Sequence, residues 1–167
     1  LDDIKKIIAR SAKILKADMS PEAVDILARA SRATPRVANR LLKRARDYAQ
    51  VHPDAAHTHD ASAQTLITDR IAEATLRLMD IDERGLEPMD RKILEIIITK
   101  FSGGPVGIQA IAAAASEDDD TLEEVHEPYL MQLGLIERTS RGRVATAQAY
   151  AHLGIPMRES SQRALLA

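Results

Sequence analysis

A mainly α protein in two small domains is what this sequence predicts, with four helices in the first and three helices plus a β-hairpin in the second. Three observations carry that expectation. Apolar residues make up 45% of the chain but aromatics only 2%, with no Trp and one Phe, so any core must be built from Ile, Leu, Val and Ala, a composition that favours helices. Apolar residues recur at helical spacing behind Ser-Pro and Thr-Pro starts, and the period switches to strict alternation only near residue 135. A charged stretch ending in glycine, Asp80 to Gly85, then separates two halves of the 167 residues, each long enough to bury a core.

Ile4, Ile7, Ile8, Ile14 and Leu15 form one face of a first helix, with Lys5, Lys6, Arg10 and Lys13 opposite. Ser20-Pro21-Glu22 supplies a capping hydroxyl, a first-turn proline and an acid near the positive helix end, and Val24, Ile26, Leu27 and Ala30 continue helix two. Thr34 is expected to cap a third helix that starts at Pro35, points Val37, Leu41, Ala45 and Tyr48 inward and ends near Gln50. Val51 to Gln64 is polar, aperiodic and contains Pro53, so a long loop is expected before Thr68 caps a fourth helix carrying Ile71, Leu76, Leu78 and Met79.

After the linker, Pro88, Met89, Ile93, Leu94, Ile96 and Ile97 restart the helical pattern, and Phe101 to Gly107 must break it. Ile108 to Ala115 makes a short second helix. Thr121 is expected to cap a third, with Leu122, Val125, Tyr129, Leu130 and Leu133 running to Gly134. Leu135 to Thr139 and Arg143 to Thr146 alternate around a Ser140-Arg141-Gly142 turn, a β-hairpin. Three helices and a hairpin outline a winged helix, whose wing can touch DNA beside the third helix. The tail beyond Pro156 lacks an apolar face and is expected to fray.

No cysteine occurs, which removes disulfides, thiolate nucleophiles and Cys-based zinc sites and agrees with the reducing cytoplasm. No apolar run reaches the roughly 18 residues of a membrane span. Leu1-Asp2-Asp3-Ile4 is neither a basic leader nor an initiator methionine, so the chain reads as cut from a longer one. Its net charge of −2 gives no general attraction to nucleic acid, and any DNA contact must come from a local basic cluster. His52, His57 and His59 lie in the irregular loop without a regular scaffold, and no metal is assigned to them.

Two sets of cations invite a functional reading. Arg36 sits in the first turn of helix three, where the helix dipole disfavours a cation. A phosphate docked at that helix start would account for it, while an exposed arginine with a nearby carboxylate partner is the more ordinary explanation. Arg138, Arg141 and Arg143 cluster around the hairpin turn, whereas the preceding helix carries Glu123, Glu124 and Glu127. An acidic helix repels phosphates, so the wing is the better DNA contact, against the alternative of a hairpin kept from edge pairing by its charge.

The stretches Ser31-Arg32-Ala33-Thr34-Pro35-Arg36-Val37-Ala38-Asn39-Arg40-Leu41-Leu42, Gly103-Gly104-Pro105-Val106-Gly107, Glu127-Pro128-Tyr129-Leu130 and Arg141-Gly142-Arg143-Val144-Ala145-Thr146 strongly resemble the bacterial RuvB family. So do Ala149-Tyr150 and His152-Leu153-Gly154, and the resemblance runs over residues 1–50 and 67–156 in the family's order. It implies a helical AAA+ lid at 1–82, a winged-helix DNA-binding domain at 83–156 and a tail at 157–167. It also implies that Arg36 is the sensor-2 arginine reaching the terminal phosphate of ATP, with Pro35 near the nucleotide.

The same resemblance implies a homohexameric motor, using ATP/ADP and Mg2+, that pumps double-stranded DNA at Holliday junctions with RuvA as loader and RuvC in the resolvasome. Arg138, Arg141 and Arg143 would then contact DNA. Ala33 departs from the family's usual glycine, and the loop from His52 to Leu66 is longer than the family norm. No Gly-x-x-x-x-Gly-Lys-Ser/Thr loop occurs in the 167 residues, so this polypeptide alone is not expected to hydrolyse ATP. The rival expectation is a winged-helix regulator with a helical oligomerisation domain. A structural helical adaptor, the third option, would leave Arg36 and the wing arginines unexplained.

Overall fold

The computed structural model describes residues 1–52 and 65–157. Contacts divide the chain into one unit at Leu1–Glu87 and another from Pro88 onward.

The first unit contains α1 (Asp2–Ile14), β1 (Ala17–Met19), α2 (Pro21–Arg29), α3 (Pro35–Val51), β2 (Thr65–Ile67) and α4 (Asp69–Leu78). The Ser20 hydroxyl accepts from the Ala23 N–H at 3.1 Å and the Thr68 hydroxyl from the Ile71 N–H at 3.4 Å, so both caps form as the sequence predicts. Ile8, Leu27, Leu41, Leu42, Ile67 and Ile71 are fully buried at its centre. Ile14 and Leu78, both expected to face inward, are about three-quarters exposed. At 3.6 residues per turn Leu78 points about a quarter and Ile14 about a third of a turn from the mean direction of the buried residues of its helix, a deviation that a count of apolar positions overlooks.

The sequence reading did not anticipate β1 and β2. They pair in parallel with Ala17 opposite Thr65 and Met19 opposite Ile67, and each is only three residues long, too short to display a period. The pairing ties the exit of α1 to the entry of α4, and Ser20 N–H extends it by donating to the Ile67 carbonyl at 3.0 Å. The expected loop falls outside the described residues apart from Val51, which ends α3, and His52. The His52 ring stacks on Tyr48 at 4.2 Å, with Nδ1 3.1 Å from the Tyr48 carbonyl. His57 and His59 lie outside the described residues.

The second unit begins with α5 (Pro88–Thr99) and α6 (Ile108–Ala115). Asp119–Thr121, a π-helical turn Leu122–His126 and Glu127–Gln132 then run on as one helix, α7. Its cap is Asp118, which accepts from the Thr121 N–H at 3.2 Å, so the expected Thr121 cap is corrected to a residue three positions earlier. Pro128 has no N–H to donate to the Glu124 carbonyl, and the helix widens to a π turn immediately before it. Val125, expected inside, faces solvent.

The wing is β3 (Ile136–Thr139) and β4 (Gly142–Ala145), antiparallel, with Arg138 opposite Arg143. A final helix α8 (Ala147–Leu153), absent from the sequence reading, buries Ala149 and Tyr150. It spans only about two turns, too few for periodicity to separate it from a strand end. Two polar links brace α5 from within. Asp90, fully buried, meets His126 Nδ1 of α7 at 2.7 Å, and Lys92 Nζ donates to the Ala115 carbonyl that closes α6 at 2.6 Å.

Candidate nucleotide and nucleic-acid contacts

The start of α3 is reached through a tight left-handed turn. Ser31 is buried and its hydroxyl donates to the Ala28 carbonyl at 2.7 Å. Arg32 and Ala33 follow at φ +55° and +51°. Two consecutive non-glycine residues in that region are uncommon, and each costs roughly 1–2 kcal/mol relative to glycine. Ala33, the position where the family usually has glycine, therefore does occupy a backbone conformation that glycine would adopt more readily.

This turn also changes the cap. Thr34 stands at the N-cap position, but its hydroxyl donates to the Arg32 carbonyl at 3.0 Å and does not accept from α3. The expected Thr34 side-chain cap is thus absent, because the left-handed turn presents a carbonyl closer to hand. Pro35 and Arg36 are exposed. Arg36 has no ion pair or side-chain hydrogen bond among the described residues, so the ordinary explanation of a nearby carboxylate is not met there. Arg40, one turn further along α3, is paired with Glu87 at 2.7 Å. An uncapped, proline-led helix start with an unpaired guanidinium suits a phosphate chemically.

The three wing arginines separate into three environments. Arg141 lies exposed in the turn, which is fastened by the Thr139 hydroxyl donating to the Gly142 carbonyl at 2.8 Å and accepting from the Arg141 N–H at 3.3 Å. Its guanidinium carries no ion pair among the described residues. Arg138 is half-exposed and meets Glu123 of α7 at 3.0 Å. Such a pair is worth under about 1 kcal/mol and can exchange its partner.

Arg143 is not the exposed hairpin-tip residue that the sequence suggests. Its side chain is 10% exposed and that of Glu127 2%. Nε donates to Glu127 Oε1 at 3.1 Å and Nη2 to Oε2 at 2.8 Å, a two-pronged fork, with Glu123 a further 3.4 Å contact. The cause is register. Arg138 and Arg143 are cross-strand partners and so share one face of the hairpin, opposite Glu123 and Glu127, which are four apart on α7. Two of the three acids read as repelling phosphate are therefore neutralised by the wing itself. Glu124 alone of the three is exposed as a whole residue.

The Gly103-to-Gly107 segment completes the wing. Val106 and Arg143 exchange both backbone hydrogen bonds, at 3.0 and 2.8 Å. A side chain at Gly104 would collide with the Arg143 carbonyl, and one at Gly142 with the Val106 backbone, at φ +96° and +133° respectively. Sequence reasoning took this segment as a helix breaker and as one of the stretches that resemble the family, without a place in the wing, and missed Glu127 as a partner of the wing. The signal that could have revealed Glu127 was the four-residue spacing of Glu123 and Glu127 ahead of two arginines placed symmetrically about a turn.

Residues 1–82 match the family described as the RuvB AAA lid domain, and residues 83–154 that described as the RuvB C-terminal winged helix domain. The Holliday junction branch migration complex subunit RuvB of Rubrobacter xylanophilus is 50% identical over 157 residues, covering 94% of this chain and 41% of that protein. The solved Thermotoga maritima RuvB Holliday junction branch migration motor is 40% identical with a TM-score of 0.85, over 94% of this chain and 49% of the other, and a point mutant of that motor gives the same values. The chain thus spans less than half the length of these relatives. With both units matched in order and the fold reproduced, the chain belongs to the RuvB family, of which it carries the AAA lid and the C-terminal winged helix.

Proposed function

We propose that this chain forms the lid and the DNA-holding end of an ATP-driven Holliday-junction branch-migration motor. The observation that carries the reading is Arg36, an exposed and unpaired cation in the first turn of an uncapped helix. In this reading Arg36 is the sensor-2 residue and bonds the terminal phosphate of ATP, with Pro35 shaping the approach. ATP with Mg2+ supplies phosphoryl-transfer chemistry at a phosphate loop that lies outside these 167 residues. The chain's own contribution is charge aimed at developing phosphate charge, which matters because phosphoryl transfer is governed by positioning and electrostatics.

The winged helix would hold duplex DNA by its backbone. Arg141 is the primary contact and Arg138 a second that trades Glu123 for a phosphate, while Arg143 stays inside the protein. Double-stranded DNA at Holliday junctions, RuvA, RuvC and further copies in a hexamer are the partners that this reading assigns, and the cytoplasm is the compartment. Support comes from what the relatives are named for, a branch-migration complex subunit and a branch-migration motor. A free-standing regulator is not favoured by those relatives. The acidic α7 also lacks the basic surface of a groove-reading helix.

The test is junction dissociation with a labelled Holliday junction, RuvA and the full-length protein containing this chain. Arg36→Ala should abolish migration while junction binding persists. Migration at the unaltered rate would return Arg36 to an ordinary surface arginine.

A further inference from the structure

We propose that Glu127 is a positioning residue for DNA binding. By holding Arg143 against α7 it fixes the wing so that Arg141, two residues away, is presented to a phosphate. Glu127 itself never touches DNA. The inference rests on the wing reading above and adds a residue to it.

Four features carry it. The guanidinium of Arg143 is gripped through both Nε and Nη2 by the two oxygens of one carboxylate, a geometry that fixes orientation as well as distance. Both side chains are buried, so neither exchanges freely with water or with an arriving phosphate. The backbone of Arg143 is locked in both directions to Val106, and Gly104 and Gly142 admit no side chain at that crossing. Finally, the turn beside Arg143 is closed on itself by the Thr139 hydroxyl, which ties the Arg141 backbone to the ends of both strands.

A direct DNA contact by Arg143 would require it to leave Glu127 buried and uncompensated, which is strongly unfavourable. Loss of the Glu127 charge has the converse effect. It leaves the buried guanidinium with only the longer 3.4 Å contact to Glu123, which lies nearer solvent, and so draws Arg143 and β4 outward. The wing then loses its fixed angle and Arg141 its phosphate.

The experiment is a double-mutant cycle on the full-length protein, read by fluorescence anisotropy on mixed-sequence duplex DNA across a salt series, with thermal unfolding followed in parallel. Arg141→Ala should lower the slope of log affinity against log salt by about 0.9, the amount for one phosphate contact. Glu127→Gln should lower it by the same amount, and the double variant by no more than either single one, because one contact is lost once. Should Glu127→Gln not fold, Arg143→Lys, which keeps the charge and removes the fork, takes its place with the same expectation. Additive slopes would overturn the proposal, since Glu127 would then act on a separate contact. So would a Glu127→Gln protein of lowered stability but unaltered slope, whose role is structural only. A silent Arg141→Ala is the distinct result that overturns the wing reading itself, and the positioning role with it.

Discussion

The start of α3 and the wing both place arginines where the sequence suggests a phosphate contact, and the structure treats them oppositely. Arg36 stands exposed with no ion pair among the described residues, whereas Arg143 is enclosed by Glu127 and Glu123 from another element. What separates a ligand-facing cation from an internal one is therefore the partner acid and not the cation or its local turn. Within the wing itself, two residues suffice to pass from one class to the other, from Arg141 to Arg143.

The largest effect that would sharpen this contrast is on stability. Arg143→Ala leaves Glu127 buried and unpaired, so urea denaturation should register a loss of about 3–5 kcal/mol. Arg36→Ala should stay within about 0.5 kcal/mol, as exposed substitutions do. Equal losses, or a neutral Arg143→Ala, would break the comparison. A smaller effect is expected at the backbone crossing. Gly104→Ala adds a collision with the Arg143 carbonyl to a left-handed conformation that alone costs an L-residue roughly 1–2 kcal/mol, so denaturation should show at least that loss. In the first unit the sign reverses. Ala33 already occupies φ +51°, and Ala33→Gly should raise stability by up to about 1 kcal/mol. A destabilised Ala33→Gly would mean that the turn before Arg36 is set by something other than backbone preference.

The architecture was legible where a pattern was long. α1 to α6 follow from apolar spacing and from the Ser20-Pro21, Thr34-Pro35 and Thr68 starts, even though Thr34 itself turns its hydroxyl to Arg32. Three-residue β1 and β2 and seven-residue α8 were not legible, because their existence depends on partners distant in sequence or on packing, and neither leaves a period. The candidate site divides along the same line. The exposure of Arg36 and Arg141 agrees with local sequence, since each occupies a helix start or turn that a neighbour in sequence controls. The fate of Arg143 was hidden, because it is decided by strand register against the four-residue spacing of Glu123 and Glu127 on a separate helix.

The most direct test of the account is steady-state ATP turnover by the full-length protein with Arg36→Ala, measured beside its unfolding midpoint and beside Arg40→Ala as the neighbouring control. Arg40 lies one turn along the same helix and already bonds Glu87 at 2.7 Å. The account predicts that Arg36→Ala lowers turnover by about 100- to 1,000-fold, the range for removing one donor aimed at developing charge, with an unmoved midpoint. Arg40→Ala should turn over ATP at close to the unaltered rate. Unchanged turnover in Arg36→Ala, or equal losses in both variants, would contradict it.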